Sequence, residues 1–165
     1  MQASASRAEA IHAEGRCKEA MHRAGHLLAR RSRSEREMRD ALGSAGFDFA
    51  TIDRTMARLR QLRLVDDAEF ARRWIAERAH RRGRVALLAE LEAKGVPSDV
   101  AAEALDPIEE EGRATELAAR HLARLGGLPL ALQAARIQGM LLRRGFEEEV
   151  AEAATRAVLP PEGWD

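Results

Sequence analysis

The chain has no tyrosine, only 4% aromatic residues and a single cysteine among 165 residues. So few rings leave a core to be built from Leu, Ala, Val and Ile, a composition that favours helices over sheets. One cysteine, Cys17, supplies no disulfide framework and suits a reducing compartment. Lysine is nearly missing as well, since 25 of the 27 basic side chains are arginine. No apolar run approaches the ~20 residues a bilayer span needs. The N-terminus lacks the apolar stretch of a secretory signal, so the expected setting is the cytoplasm, away from membranes. There is no Gly-rich phosphate loop, HExxH pair, nucleophile elbow or paired cysteine. On these grounds neither an enzyme nor a cofactor is expected.

What is present is a phrase used three times. Leu42 precedes Gly46-Phe47, Leu91 precedes Gly95-Val96, and Leu141 precedes Gly145-Phe146, so the glycines lie 49 and 50 residues apart. A Leu four residues before a Gly, with an apolar residue directly after, is how many helices stop. The Gly turns left-handed without a Cβ clash, and the next residue folds back on the last turn. Three copies at one period indicate an internal repeat. The spacing predicts an all-α fold: a tandem array of three three-helix repeats over 19–65, 66–112 and 113–158. A helical extension or tail over 1–18 precedes them and a tail over 159–165 follows. Units this small bury too little surface alone and should pack on their neighbours, giving an elongated, curved molecule.

Helical spacing fills in the elements. Ser34 through Glu37 reads as a capping box, and Ile52, Met56 and Leu59 share a face of the helix after Gly46. Gly25 is expected to interrupt the first helix. Asp67 is expected to cap a helix striped by Phe70, Trp74 and Ile75. Val85, Leu88 and Leu91 are expected to carry the next one to Gly95. His22 and His26, one turn apart, could take two positions on a metal, but no convincing third ligand accompanies them, and no metal site is assigned. Glu109 to Glu111 and Glu147 to Glu149 read as solvated residues that compensate helix dipoles.

The net charge of zero averages over unlike parts: residues 1–47 and 48–95 each carry +3, and residues 96–165 carry −6. Arginines crowd the basic part. Arg54 and Arg58 fall opposite the Ile52, Met56 and Leu59 stripe, and Arg72 and Arg73 fall away from Phe70 and Trp74. Arg81, Arg82 and Arg84 gather around Gly83. Together they suggest a surface for phosphates or an acidic protein face. Arg78 lands in the apolar sector and is expected to snorkel or find an acid. Glu77 and Arg81 are spaced as an i,i+4 pair. No exposed aromatic platform for stacking bases is expected.

Several phrases in order carry a family resemblance. Leu28-Ala29-Arg30-Arg31 is followed by Ser34-Glu35 and by Met38 through Leu42. Leu64-Val65-Asp66-Asp67-Ala68-Glu69-Phe70-Ala71 comes next, then Glu90-Leu91 with Lys94-Gly95-Val96, and last Leu142-Arg143-Arg144-Gly145-Phe146. Together they resemble the RecX family of recombination regulators over about residues 27–158. The resemblance implies three tandem three-helix repeats. It also implies a non-enzymatic regulator that binds RecA and the RecA–DNA filament, lies along the helical groove and inhibits strand exchange, ATP hydrolysis and co-protease activity. Homologous recombination and the SOS response would be the processes modulated, with the protein acting as a monomer. The alternative is a helical repeat protein that binds single- or double-stranded DNA directly, without RecA.

Overall fold

The computed structural model describes residues 2–161, and for residues 2–6 and 8 only the backbone. Among the described residues there are nine α-helices and no strand. They are α1 (Gln2–Arg30), α2 (Glu35–Ser44), α3 (Phe49–Gln61), α4 (Asp67–Arg78), α5 (Arg84–Ala93), α6 (Ser98–Leu105), α7 (Glu111–Leu122), α8 (Leu130–Arg143) and α9 (Glu148–Val158). The expected extension is no separate piece, because α1 runs unbroken through Gly15 and Gly25. Both glycines face open space, so α1 bears only their propensity cost, ~1 kcal/mol each relative to Ala. Gly25 therefore does not interrupt the helix.

Contacts divide the chain into two compact units. The first comprises Met1–Phe70 with Lys94–Pro97, and the second Ala71–Ala93 with Ser98–Asp165. In the first unit α1, α2 and α3 pack mutually around Ala20, Ala24, Met38, Leu42, Ile52, Met56, Leu59 and Val65. Arg39 reaches Asp53 at 2.6 Å and Arg60 reaches Glu35 at 2.7 Å, tying α2 to α3 along its exposed edge. In the second unit α7, α8 and α9 pack mutually, as do α5 and α6. Its largest apolar cluster is centred on Leu117, Ile137, Leu141, Phe146 and Ala154.

Three stops end as the spacing predicts. Gly46, Gly95 and Gly145 have φ of +85°, +77° and +80°. The Phe47 N–H donates to the Leu42 carbonyl and the Phe146 N–H to the Leu141 carbonyl, each at 3.2 Å, the six-to-one bond of a left-handed cap. A second repeat signal lies in the helices after those stops. Thr55 in α3 and Thr155 in α9 are both buried, and each hydroxyl donates to the carbonyl one turn back.

Some local readings are corrected. The Asp66 carboxylate accepts from the Glu69 N–H at 3.0 Å and caps α4. Asp67 instead accepts the Glu35 N–H at 2.8 Å, at the start of α2. Ser34 does accept the Glu37 N–H at 3.1 Å. The Glu37 carboxylate, however, takes Arg31 and Lys94 rather than completing a capping box. On α5 the buried pair is Leu87 and Leu91, one turn apart, while Val85 is exposed.

Candidate functional site

The glycine turns are docking points as well as stops. In the first unit the Gly95 turn sits against the start of α2: the Ser34 hydroxyl donates to the Lys94 carbonyl at 2.5 Å. A Cβ on Gly95 would stand 2.5 Å from Arg36 Cβ. In the second unit the Gly145 turn sits against the start of α5. The Gly83 N–H donates to the Arg144 carbonyl at 2.9 Å and the Val85 N–H to the Gly145 carbonyl at 3.0 Å. A Cβ on Gly145 would stand 2.5 Å from the Ala86 amide nitrogen, and one on Gly83 would collide with the Gly145 carbonyl. The Gly46 turn has open space where a Cβ would stand. There Arg16 of α1 donates to the Gly46 carbonyl at 2.9 Å and lies 4.8 Å over the Phe47 ring.

Each joint carries charge. Glu37 is half-buried beside the Lys94 turn. Burial pushes its carboxyl up, but hydrogen bonds and charge from Arg31 and Lys94 outweigh this and hold it at about 2. In the second unit Glu90 gathers several partners. It accepts the Trp74 indole N–H at 2.9 Å and pairs with Arg82 at 3.1 Å and Arg78 at 3.6 Å. The Arg78 guanidinium stacks 3.4 Å from the Trp74 ring centre, so the arginine read as apolar-facing finds both a ring and acids. Glu77 pairs with Arg78 at 3.0 Å, not with Arg81.

The sequence-selected arginines divide into two groups. Arg54, Arg58, Arg72, Arg73 and Arg81 are exposed, with Arg54 and Arg58 one turn apart on α3 in the first unit. Arg82 and Arg84 are partly buried and serve the fold. Arg82 holds Glu90, and the Arg84 guanidinium donates to the Leu105 carbonyl at 3.0 Å. Glu110 accepts the Arg84 N–H at 2.6 Å, and Glu109 accepts the Gly112 N–H at 2.9 Å, so two of the three clustered acids cap helix starts. Phe49, the first residue of α3, is 88% exposed, contrary to the expectation of no exposed aromatic ring. Its sequence spacing made it look like part of the α3 stripe, but it begins the helix outside the buried face.

Two concave sites are lined by charge. In the first unit a groove of about 480 Å³ is lined by Glu9, His12, Arg16, Asp48, Thr51 and Arg54. In the second unit a cavity of about 260 Å³ is lined by His80, Arg81, Leu117, Arg120, His121, Arg124, Met140 and Arg144. Sequence reasoning selected only Arg81 among its arginines, because residues 96–165 are acidic on average. His22 and His26 contact each other edge to face at 4.5 Å between ring centres. Among the described residues no three His, Cys, Asp or Glu gather as metal ligands, and no helix is long and apolar enough to cross a membrane.

Fold and surface together define a helical-repeat protein whose charged faces are mainly arginine. The family models for the first and second three-helix domains of RecX match residues 20–59 and 66–105. The regulatory protein RecX of Amycolatopsis mediterranei is 37% identical over 151 residues, 88% of this chain and 86% of that protein. The one from Thermobifida fusca is 37% identical over 142 residues, covering 83% and 77%. The crystal structure of RecX from Lactobacillus salivarius superposes with a TM-score of 0.82 at 19% identity, over 88% of this chain and 97% of that one. The chain belongs to the RecX family of regulatory proteins.

Proposed function

We propose that this chain binds RecA and its nucleoprotein filament and restrains recombinase, ATPase and co-protease activity. It would thereby modulate homologous recombination and the SOS response. In this reading it acts as a cytoplasmic monomer, without catalysis or a cofactor of its own. The carrying observation is its identity to regulatory RecX proteins over most of both chains. Three repeats over 19–65, 66–112 and 113–158 are the working units, flanked by 1–18 and 159–165. Arg54, Arg58, Arg72, Arg73 and Arg81 supply contacts to acidic protein faces or phosphates, because guanidinium forks match carboxylate and phosphate oxygens. Arg82 and Arg84, already engaged within the fold, contribute by residual charge. Gly46-Phe47, Gly95-Val96 and Gly145-Phe146 set the register of the units.

Co-sedimentation tests the reading. The protein is expected in the pellet with RecA assembled on single-stranded DNA, and in the supernatant without RecA at physiological salt. Failure to pellet at equimolar protein overturns it. A second reading, direct DNA binding, is favoured by the exposure of Arg54 and Arg58 one turn apart on α3. That reading predicts pelleting with DNA alone, lost steeply as salt rises because each phosphate contact releases counterions.

A further inference from the structure

The second-unit cavity has the chemistry of an anion site. Arg81, Arg120, Arg124 and Arg144 line it together with His80 and His121, and no carboxylate does. Leu117 and Met140 complete its wall. Among the described residues no ion pair to any of these four guanidiniums is found, whereas Arg78, Arg82 and Arg156 in the same unit each have one. Four like charges facing one small space repel each other, a cost that a bound anion converts into attraction.

The cavity is also preformed. Leu117, Arg120, His121 and Arg124 recur at i, i+3, i+4 and i+7 along α7 and its end, so they share one face. Met140 and Arg144 are one turn apart at the end of α8. The turn carrying His80 and Arg81 is held from two sides. The Arg113 guanidinium donates to the Ala79 carbonyl at 2.5 Å and to the Arg82 carbonyl at 3.3 Å. The Gly83 N–H holds the Arg144 carbonyl at 2.9 Å. The Gly83–Gly145 joint therefore brings Arg81 to Arg144, and little ordering is left for a ligand to impose. Burial draws the His121 imidazole below its ordinary value, and the charges of Arg124, Arg144, Arg143 and Arg136 add to the shift, so every charge acting on it is positive.

We propose that this cavity binds the oligophosphate chain of a small anion, a di- or triphosphate, independently of RecA. Its cations converge from three helical segments on about 260 Å³ instead of following a line. A nucleic-acid strand needs a track of successive phosphates, whereas a compact multivalent anion needs convergence. Guanidinium forks provide paired charge-assisted hydrogen bonds to phosphate oxygens.

Calorimetric titration of the full chain with inorganic tripolyphosphate, ATP and a single-stranded oligonucleotide at equal low salt tests this. Tripolyphosphate is expected to bind, and Arg120→Ala or Arg124→Ala, both exposed on the surface, to weaken it about tenfold or more. The paired change Arg7→Ala and Arg23→Ala on α1 removes two charges elsewhere and is expected to leave binding within about twofold. NMR titration of His121 should show its pKa rising when tripolyphosphate is present, since the anion favours the imidazolium. Binding of tripolyphosphate and ATP alike assigns the site to nucleotides, and binding of tripolyphosphate alone to inorganic chains; both support the proposal. No binding of either, binding of the oligonucleotide only, or equal loss in the α1 control overturns it.

Discussion

Gly83 and Gly145 meet backbone to backbone, with a Cβ on Gly83 excluded by the Gly145 carbonyl and one on Gly145 by the Ala86 amide. Gly145 is also left-handed, with φ of +80°. Its helix stop thus carries two independent demands, one conformational and one steric. Gly46, at φ +85° with open space around it, carries only the first.

This difference sets the first prediction. Gly46→Ala should cost about 1–2 kcal/mol, the left-handed penalty for a residue with a Cβ. Gly145→Ala adds overpacking of ~1–3 kcal/mol at the joint. Urea titration followed by circular dichroism should therefore show a clearly larger loss for Gly145→Ala. Equal losses would mean that the joint contributes nothing.

The Glu37 carboxyl gives a prediction about pH. Its pKa falls from an ordinary 4.5 to about 2 in the folded chain. A depressed folded value means the stabilisation is fully present above 4.5 and is lost as pH falls through about 2. The linked free energy is at most about 3 kcal/mol, and less because Arg31 is half-exposed and screened by solvent. Wild-type melting temperature should drop between pH 4.5 and 2, and Glu37→Gln should flatten that segment. An unchanged slope in the variant would show that the Arg31 and Lys94 pairing is not maintained in solution.

Much of this was legible in the sequence, and what was not has a physical reason. The Leu-to-Gly phrases located three helix stops, because a left-handed turn imposes a residue type. Their docking partners, Arg36 for Gly95 and Ala86 for Gly145, lie 59 residues upstream in each case, a separation that no local period reports. Arg84 looked like a surface residue, yet it serves the Leu105 carbonyl. The cavity at Arg120, Arg124 and Arg144 was hidden because a regional charge of −6 averages over faces that the helices separate.

The Glu90 cluster yields a third prediction. Removing the carboxylate in Glu90→Ala leaves Arg78, Arg82 and the Trp74 N–H without it, at a cost of about 1–3 kcal/mol. Trp74 emission should shift to the red as its surroundings loosen, with a lower melting temperature. An unchanged spectrum and stability would show that Trp74 is held by other contacts.

Exposed arginines should behave differently from engaged ones. Arg54→Ala and Arg58→Ala together are expected to leave stability within about 0.5 kcal/mol while weakening attachment to the RecA filament. If duplex DNA is bound directly, each lost phosphate contact should lower the salt slope by about 0.9. Full attachment by a folded double variant would remove this face from the interface.

The most direct measurement is the rate of RecA-catalysed ATP hydrolysis on single-stranded DNA as this protein is added. The account predicts slowing at amounts below one copy per RecA protomer. An unchanged rate with equimolar folded protein would contradict it.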